Sequence, residues 1–222
     1  MGDEPRAWLR TAVASLAICA AGGALLARGT DGFRALTSEQ ARRNEIARAP
    51  RAVPAVALED QDGRPFALAA YRGRPLAVDF VYTQCRSVCS LLSTGFQRLD
   101  RAEWSRGGAR DDRLQLVSVS FDPRDTPARL REYASHFGAD GHAWRFARLR
   151  DPGDLGELLG AFGVVVIPAA GGDFQHNAAV HLVDARGRLA RVLDAGAQPE
   201  EVARALASMG PAPPLAAATD GR

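Results

Sequence analysis

Leu76-Ala-Val-Asp-Phe-Val-Tyr82-Thr-Gln-Cys85-Arg-Ser-Val-Cys89-Ser90 is the stretch on which the reading of this chain turns. Leu76 to Tyr82 is an apolar run with the length of a buried strand, and it stops at Thr83-Gln84. Two thiols follow at i and i+4, where a helix is predicted to begin. On a regular helix such positions share one face, with Cβ atoms ~6 Å apart. An unstrained disulfide needs Cβ atoms ~3.8 Å apart. The spacing therefore suits two thiolates closing on one soft metal ion, or a disulfide formed once the first turn distorts. A helix N-terminus favours anions, so at least one thiol is expected to have a lowered pKa, with Arg86 adding to the effect. Two buried cysteines packing as small apolar groups is the plainer reading. The strand-end position and the polar neighbours Gln84, Arg86 and Ser87 argue against it.

Outward from this stretch the pattern alternates strand and helix. Val53 to Leu58 and Pro65 to Leu68 flank Asp60-Gln-Asp-Gly63, a hairpin signal. Ser87 to Glu103 reads as a helix with Val88, Leu91, Leu92, Phe96 and Leu99 as its apolar positions. Leu114 to Phe121 is a second buried strand. Thr126 to Phe137 is a helix, with Thr126 as a natural cap and Pro127 just inside its start. Trp144 to Leu149 reads as a short strand and Pro152 to Phe162 as a helix. Ala178 to Val183 and Arg188 to Leu193 flank Asp184-Ala-Arg-Gly187, a second hairpin, and Pro199 to Met209 is a last amphipathic helix. This order is α/β. A dithiol between the first long strand and its helix is the thioredoxin-like layout: a central mixed sheet flanked by helices, with an N-terminal hairpin, a C-terminal hairpin and a final helix.

The chain has 222 residues, 46% hydrophobic, and a net charge of +2. One globular domain with flanking segments fits that length. Every basic residue is Arg and none is Lys, which reads as genomic base composition. The arginines are scattered and often sit beside acids, so no phosphate-tracking stripe and no nucleic-acid partner is indicated. Thr11 to Ala27 carries no charge and is flanked by Arg6, Arg10 and Arg28. As a helix it would span ~26 Å, near the short limit for a membrane crossing. A signal anchor or a cleaved signal peptide fits; without a clear Ala-x-Ala site the uncleaved anchor is favoured. Cys19 lies in this segment, and the Ile before it disfavours a lipoprotein. The expected organisation is residues 1–29 as anchor or signal segment, 30–52 as linker, 53–209 as the folded domain and 210–222 as a disordered tail.

Three segments resemble the Sco/SenC family, thioredoxin-like copper chaperones for assembly of cytochrome c oxidase. Phe80-Val-Tyr-Thr-Gln-Cys85-Arg-Ser-Val-Cys89 matches the family's Tyr-Thr-x-Cys-x-x-x-Cys pattern. Ser118 to Tyr133, through Asp122-Pro-Arg-Asp125-Thr-Pro127, is close to its Asp-Pro-x-x-Asp-Thr-Pro signature. Phe174-Gln-His176-Asn, ahead of Leu182-Val-Asp184-Ala-Arg-Gly187, is similar to the segment carrying its distal histidine. The resemblance spans about Val53 to Ala207. Arg86 and Ser90 replace the Pro that usually follows each cysteine, and Gln175 replaces the usual Asp before the histidine. These departures bear on partner recognition, redox potential and the support of the site.

The resemblance implies that Cys85 and Cys89, as thiolates, hold copper together with His176. Two thiolates and an imidazole are a soft donor set that suits Cu(I), tolerates Cu(II) and disfavours Mg²⁺; Zn²⁺ would want a fourth ligand or a water. Asp122, Asp125 and Thr126 are accounted for by a strand-to-helix turn, with Asp122 also retained as a supporting residue. His181 has the opposite strand parity to His176 and reads as structural, and His136 and His142 as solvated. The implied function is delivery of copper to the binuclear site of oxidase subunit II or another copper protein. No catalytic turnover is needed, and oxidation of the Cys85–Cys89 pair to a disulfide would block loading. An upstream copper donor or thiol reductase is a further implied partner, and the location is a bacterial inner membrane with the domain in the periplasm. The alternative is an enzyme, a membrane-anchored thiol–disulfide oxidoreductase. Its usual Cys-x-x-Cys is one residue tighter, and it has no use for His176. A peroxidase is weaker still, because Thr83 lies only two residues before Cys85.

Overall fold

The structure is a computed structural model that describes residues 4–29, 37–85, 88–105 and 114–210. The chain divides into two units, Met1–Arg48 and Ala49–Arg222. The first contains helix α1 (Glu4–Gly29) and helix α2 (Ser38–Arg48). Within α1 the stretch Trp8–Gly29 is long and apolar enough to cross a membrane. Its large apolar side chains are exposed along the helix, including Trp8, Leu16, Ile18 and Leu25. The tail assigned to disorder, apart from Gly210, lies outside the described residues.

The second unit is built on an eight-stranded mixed sheet. Its strands are β1 (Arg51–Ala52), β2 (Leu58–Asp60), β3 (Pro65–Phe66), β4 (Leu76–Val81), β5 (Gln115–Ser120), β6 (Trp144–Leu149), β9 (Ala179–Val183) and β10 (Arg188–Asp194). Their spatial order is β1-β10-β9-β4-β5-β6-β2-β3. The three central strands β4, β5 and β6 are parallel, and they are the apolar runs. Every residue of β4 and β5 is buried, as strands covered on both faces must be. The outer strands join antiparallel. Both ends of the sheet are two-residue strands: Arg51–Ala52 on one side, and Pro65–Phe66, with its proline, on the other.

Helix α3 (Val88–Ser105) and helix α4 (Pro127–Phe137) cover one face. In α3 the buried positions are Cys89, Leu92, Ser93, Phe96 and Leu99, a stripe at helical spacing. Leu91, another apolar position of this helix, is 50% exposed. Thr126 caps α4 by accepting the Arg129 N–H at 3.3 Å, and Gly138 ends it in the left-handed conformation. Phe96, Tyr133, Phe137, Trp144 and Phe146 form one aromatic cluster under these helices. On the opposite face, Phe80 packs edge-on against Phe162 of α5 (Leu155–Phe162), and His181 packs against both rings. His181 is buried, with Nδ1 3.2 Å from the Val78 carbonyl oxygen, and belongs to the core. His136 and His142 are exposed. Helix α6 (Pro199–Ser208) closes the unit.

Sequence and structure differ at several places. The expected first hairpin strand contracts from Val53–Leu58 to Leu58–Asp60. The turn at Asp60 is retained because its carboxylate accepts the N–H groups of Asp62 and Arg64. The expected helix from Pro152 opens as a single 3₁₀ turn, Pro152–Asp154, before α5. The largest addition is a two-stranded sheet, β7 (Val166–Pro168) with β8 (Phe174–His176), separate from the main sheet. Sequence reading assigned no hairpin here, yet this one carries His176.

Candidate metal centre

The dithiol sits where the parallel sheet ends. The strand β4 runs out at Val81, and the Cys85 N–H donates to the Tyr82 carbonyl at 3.2 Å. Cys85 therefore occupies a turn ahead of α3, and only Cys89 lies within the helix. The cysteines do not share a helical face as expected. Instead the Cys89 N–H, at the start of α3, points at the Cys85 sulfur 3.4 Å away. Orphan N–H groups in a first helical turn favour an anion in that position. Arg86 and Ser87 lie outside the described residues.

The pair stands as two thiols, and they are inequivalent. The Cys89 pKa is pushed far up, first because its thiol donates to the Cys85 sulfur and second by burial. Cys89 is accordingly not the activated thiol of the pair.

His176 is placed over this pair by β8. Strand alternation turns Phe174 and His176 inward and leaves Gln175 exposed. The His176 Nε2 lies 3.7 Å from the Cys89 sulfur. Its ring packs against Phe121, with centroids 5.1 Å apart. Burial lowers the His176 pKa, opposed by the charge of Cys85, so the ring is held neutral with a lone pair to offer. Its buried Nδ1 has no hydrogen-bond partner among the described residues.

Ligand bonds of about 2.3 Å to sulfur and about 2.1 Å to nitrogen, typical of a d¹⁰ ion, place two donors ~3.6–3.8 Å apart at tetrahedral-to-trigonal angles. The Cys89–His176 separation falls in that range. Among the described residues, no three His, Cys, Asp or Glu side chains converge closely enough to hold a metal as they stand. Binding by three donors therefore requires the side chains of this group to draw closer together than they stand.

Two aspartates of the β5–α4 turn support the site differently. Asp125, fully buried, accepts from the Thr83 N–H at 2.9 Å, from the Thr83 hydroxyl at 2.5 Å and from the Ser120 hydroxyl at 2.6 Å. It ties the cysteine loop to the turn. Asp122 has its carboxylate taken up by Arg124, not by a thiol or the imidazole. The sequence signal for Asp125 was available: a carboxylate five residues past the end of β5, with Thr-Pro after it, was explained fully by capping. Asp125→Ala is expected to cost about 3 kcal/mol or more, since three donors lose their acceptor and each buried donor left unsatisfied costs ~1–3 kcal/mol. Urea unfolding measures this; a change within ~0.5 kcal/mol would place Asp125 among ordinary surface positions.

Under the site lies a further group that sequence reading passed over. Asp79 of β4 is fully buried, opposite Ser118 in the parallel register. Neither carboxyl oxygen has a hydrogen-bond partner among the described residues. Burial pushes its pKa up to about 7. Its charge also adds to the raised pKa of Cys89. Beside Cys85 opens a polar cleft of about 710 Å³, lined by Tyr82, Thr83, Gln84, Cys85 and the segment Ala170 to Asp173.

The comparisons with known proteins agree with this architecture. The family model SCO1/SenC matches residues 45–210. A Stutzerimonas stutzeri protein with the provisional name of copper-binding protein is 33% identical over 90 residues, 40% of this chain; the match spans 43% of that relative's length. A SCO1 protein homolog of Bacillus subtilis (strain 168) is 24% identical over 134 residues, 59% of this chain and 67% of its own. The solved structure of Bradyrhizobium japonicum ScoI with copper bound superposes with a TM-score of 0.56 at 28% identity, covering 71% of this chain and 97% of that one. A fold of the thioredoxin type, a dithiol at the head of α3 and a histidine brought over it by β8 thus coincide with a family match across most of the chain, and the protein belongs to the SCO1/SenC family.

Proposed function

We propose that this protein is a copper carrier in which Cys85, Cys89 and His176 are the ligands, and that it hands copper to the binuclear site of cytochrome c oxidase subunit II or to a similar copper protein. The observation that carries the reading is the approach of the neutral His176 Nε2 to the Cys89 sulfur, beside a second thiol. Thiolate and imidazole donors select a soft ion. Support also comes from family membership and from the copper-bound relative.

Loading displaces the Cys89 thiol proton, because a ligating thiol is deprotonated. Phe121 packs against the imidazole and is itself backed by Phe174, which packs on Tyr82. Transfer proceeds by ligand exchange through the open side at Cys85, where the cleft lies. Exchange with a partner disulfide moves two electrons, and the partner's two sulfurs take up their protons from water. The partner becomes a dithiol, the Cys85–Cys89 pair becomes a disulfide, and the metal is released. Helix α1 is proposed to tether the domain to the inner membrane on its periplasmic side.

The test is competitive Cu(I) titration of the reduced full-length protein in detergent, with one ion bound per chain as the expected result. His176→Ala should weaken Cu(II) more than Cu(I) and alter the Cu(II) spectrum, because imidazole matters more to the harder ion. Identical Cu(II) spectra with and without the ring would remove His176 from the ligand set and favour a dithiol that works by electron exchange alone.

A further inference from the structure

We infer that Arg124, pinned by the buried carboxylate of Asp122, is a positioning residue that latches the His176 hairpin over the dithiol. Among the described residues, the β7–β8 pair has no strand neighbour in the main sheet. Backbone ladder bonds therefore do not fix where His176 stands, and side chains must. Arg124 reaches from the β5–α4 turn to both sides of this problem. Its Nε donates to the two oxygens of Asp122 at 2.8 and 3.0 Å, and its Nη2 donates to Oδ2 at 2.7 Å. The Asp122 side chain is wholly buried, while that of Arg124 is 42% exposed. The same Nη2 donates to the Gly172 carbonyl at 2.6 Å. The guanidinium also lies over the Phe174 ring, 5.5 Å from its centroid.

Phe174 transmits the hold. It is two residues from His176 on the same face of β8, and it packs edge-on against Tyr82 and Phe121. Phe121 in turn contacts the His176 ring. The Tyr82 hydroxyl donates to Asp173, and Asn177 closes the base of the hairpin on Val165 and Gly163. Gly172 is required by the latch as well as by its backbone. Its φ is +77°, and a Cβ there would stand 2.6 Å from the Arg124 Nη1. A guanidinium fixed by a forked, charge-assisted pair is a rigid strut, unlike a freely rotating lysine. The inference rests on His176 being a ligand, and it adds what places that ligand.

The experiment compares Arg124→Gln, Arg124→Lys and the double variant Asp122→Asn/Arg124→Gln, which leaves no buried charge alone, in the full chain. Hydrogen exchange of the metal-free protein is read at Phe174 to His176 and at Leu130 in α4. Loss of a charge-assisted bond should speed hairpin exchange on the order of 10- to 100-fold and leave Leu130 unchanged. The Lys variant should recover part of the protection. With Cu(II), both Gln variants should lose the imidazole signature, while Cu(I) affinity stays within a few-fold. Unchanged hairpin exchange in the folded double variant would overturn the latch. So would equal acceleration at Leu130, which would mark a general loss of stability. Should the hairpin respond while His176→Ala leaves Cu(II) spectra unaltered, the latch stands and the ligand assignment falls.

Discussion

Cys85→Ala and Cys89→Ala should each lower the Cu(I) affinity of the reduced protein by more than ~100-fold. Disturbing a residue that merely supports a ligand costs about 10- to 100-fold, and removing a thiolate takes away a bond to the ion itself. The two variants should differ in what they leave. Without Cys89 the imidazole loses the sulfur it approaches at 3.7 Å. Without Cys85 the Cys89 thiol loses the acceptor that most raises its pKa, so the single remaining sulfur should become easier to deprotonate. Both side chains are small and buried, so the substitutions should leave the fold intact, as thermal unfolding of the apoproteins would verify. Undiminished Cu(I) binding by either folded variant would refute the site.

Asp79→Asn should stabilise the protein by about 4 kcal/mol above pH 7 relative to its effect near pH 4. The sign follows from the raised pKa. Between the ordinary carboxylate value and about 7, the folded state keeps the Asp79 proton and the unfolded state has released it. Stability then falls as pH rises, by about 1.4 kcal/mol per unit, until Asp79 ionises in the folded state as well. The asparagine variant lacks that slope. The difference in unfolding free energy between wild type and variant, followed by urea unfolding from pH 4 to 8, measures Asp79 without the other acids of the chain. A flat difference would mean that the carboxyl is solvated or paired. Retaining an uncompensated acid in the central strand is costly, in keeping with strain tolerated near a working site.

The central framework was open to sequence reading because its signals are local. Buried parallel strands declare themselves as apolar runs, as Leu76–Val81 and Gln115–Ser120 do, and α4 carries its own cap and proline. The hairpin of His176 carries no comparable signal. Its strands are three residues each, joined through a glycine-rich turn, and what holds them is contact with Tyr82, Phe121 and Arg124 far away in sequence. Histidine and dithiol could be assigned together only through resemblance to a family. The inequivalence of the thiols was hidden for a similar reason. The i, i+4 spacing suggested a shared helical face, while the helix, expected from Ser87, leaves Cys85 ahead of it and offers that sulfur an N–H.

The sheet's two ends bear on how copies of this protein behave together. Molecules confined to a shared surface collide far more often than in bulk, and an open strand margin there would recruit a neighbour into an endless ribbon. Here each margin is only two residues long, one with an arginine and the other with a proline that has no N–H to lend. Dense arrays should therefore stay as separate molecules.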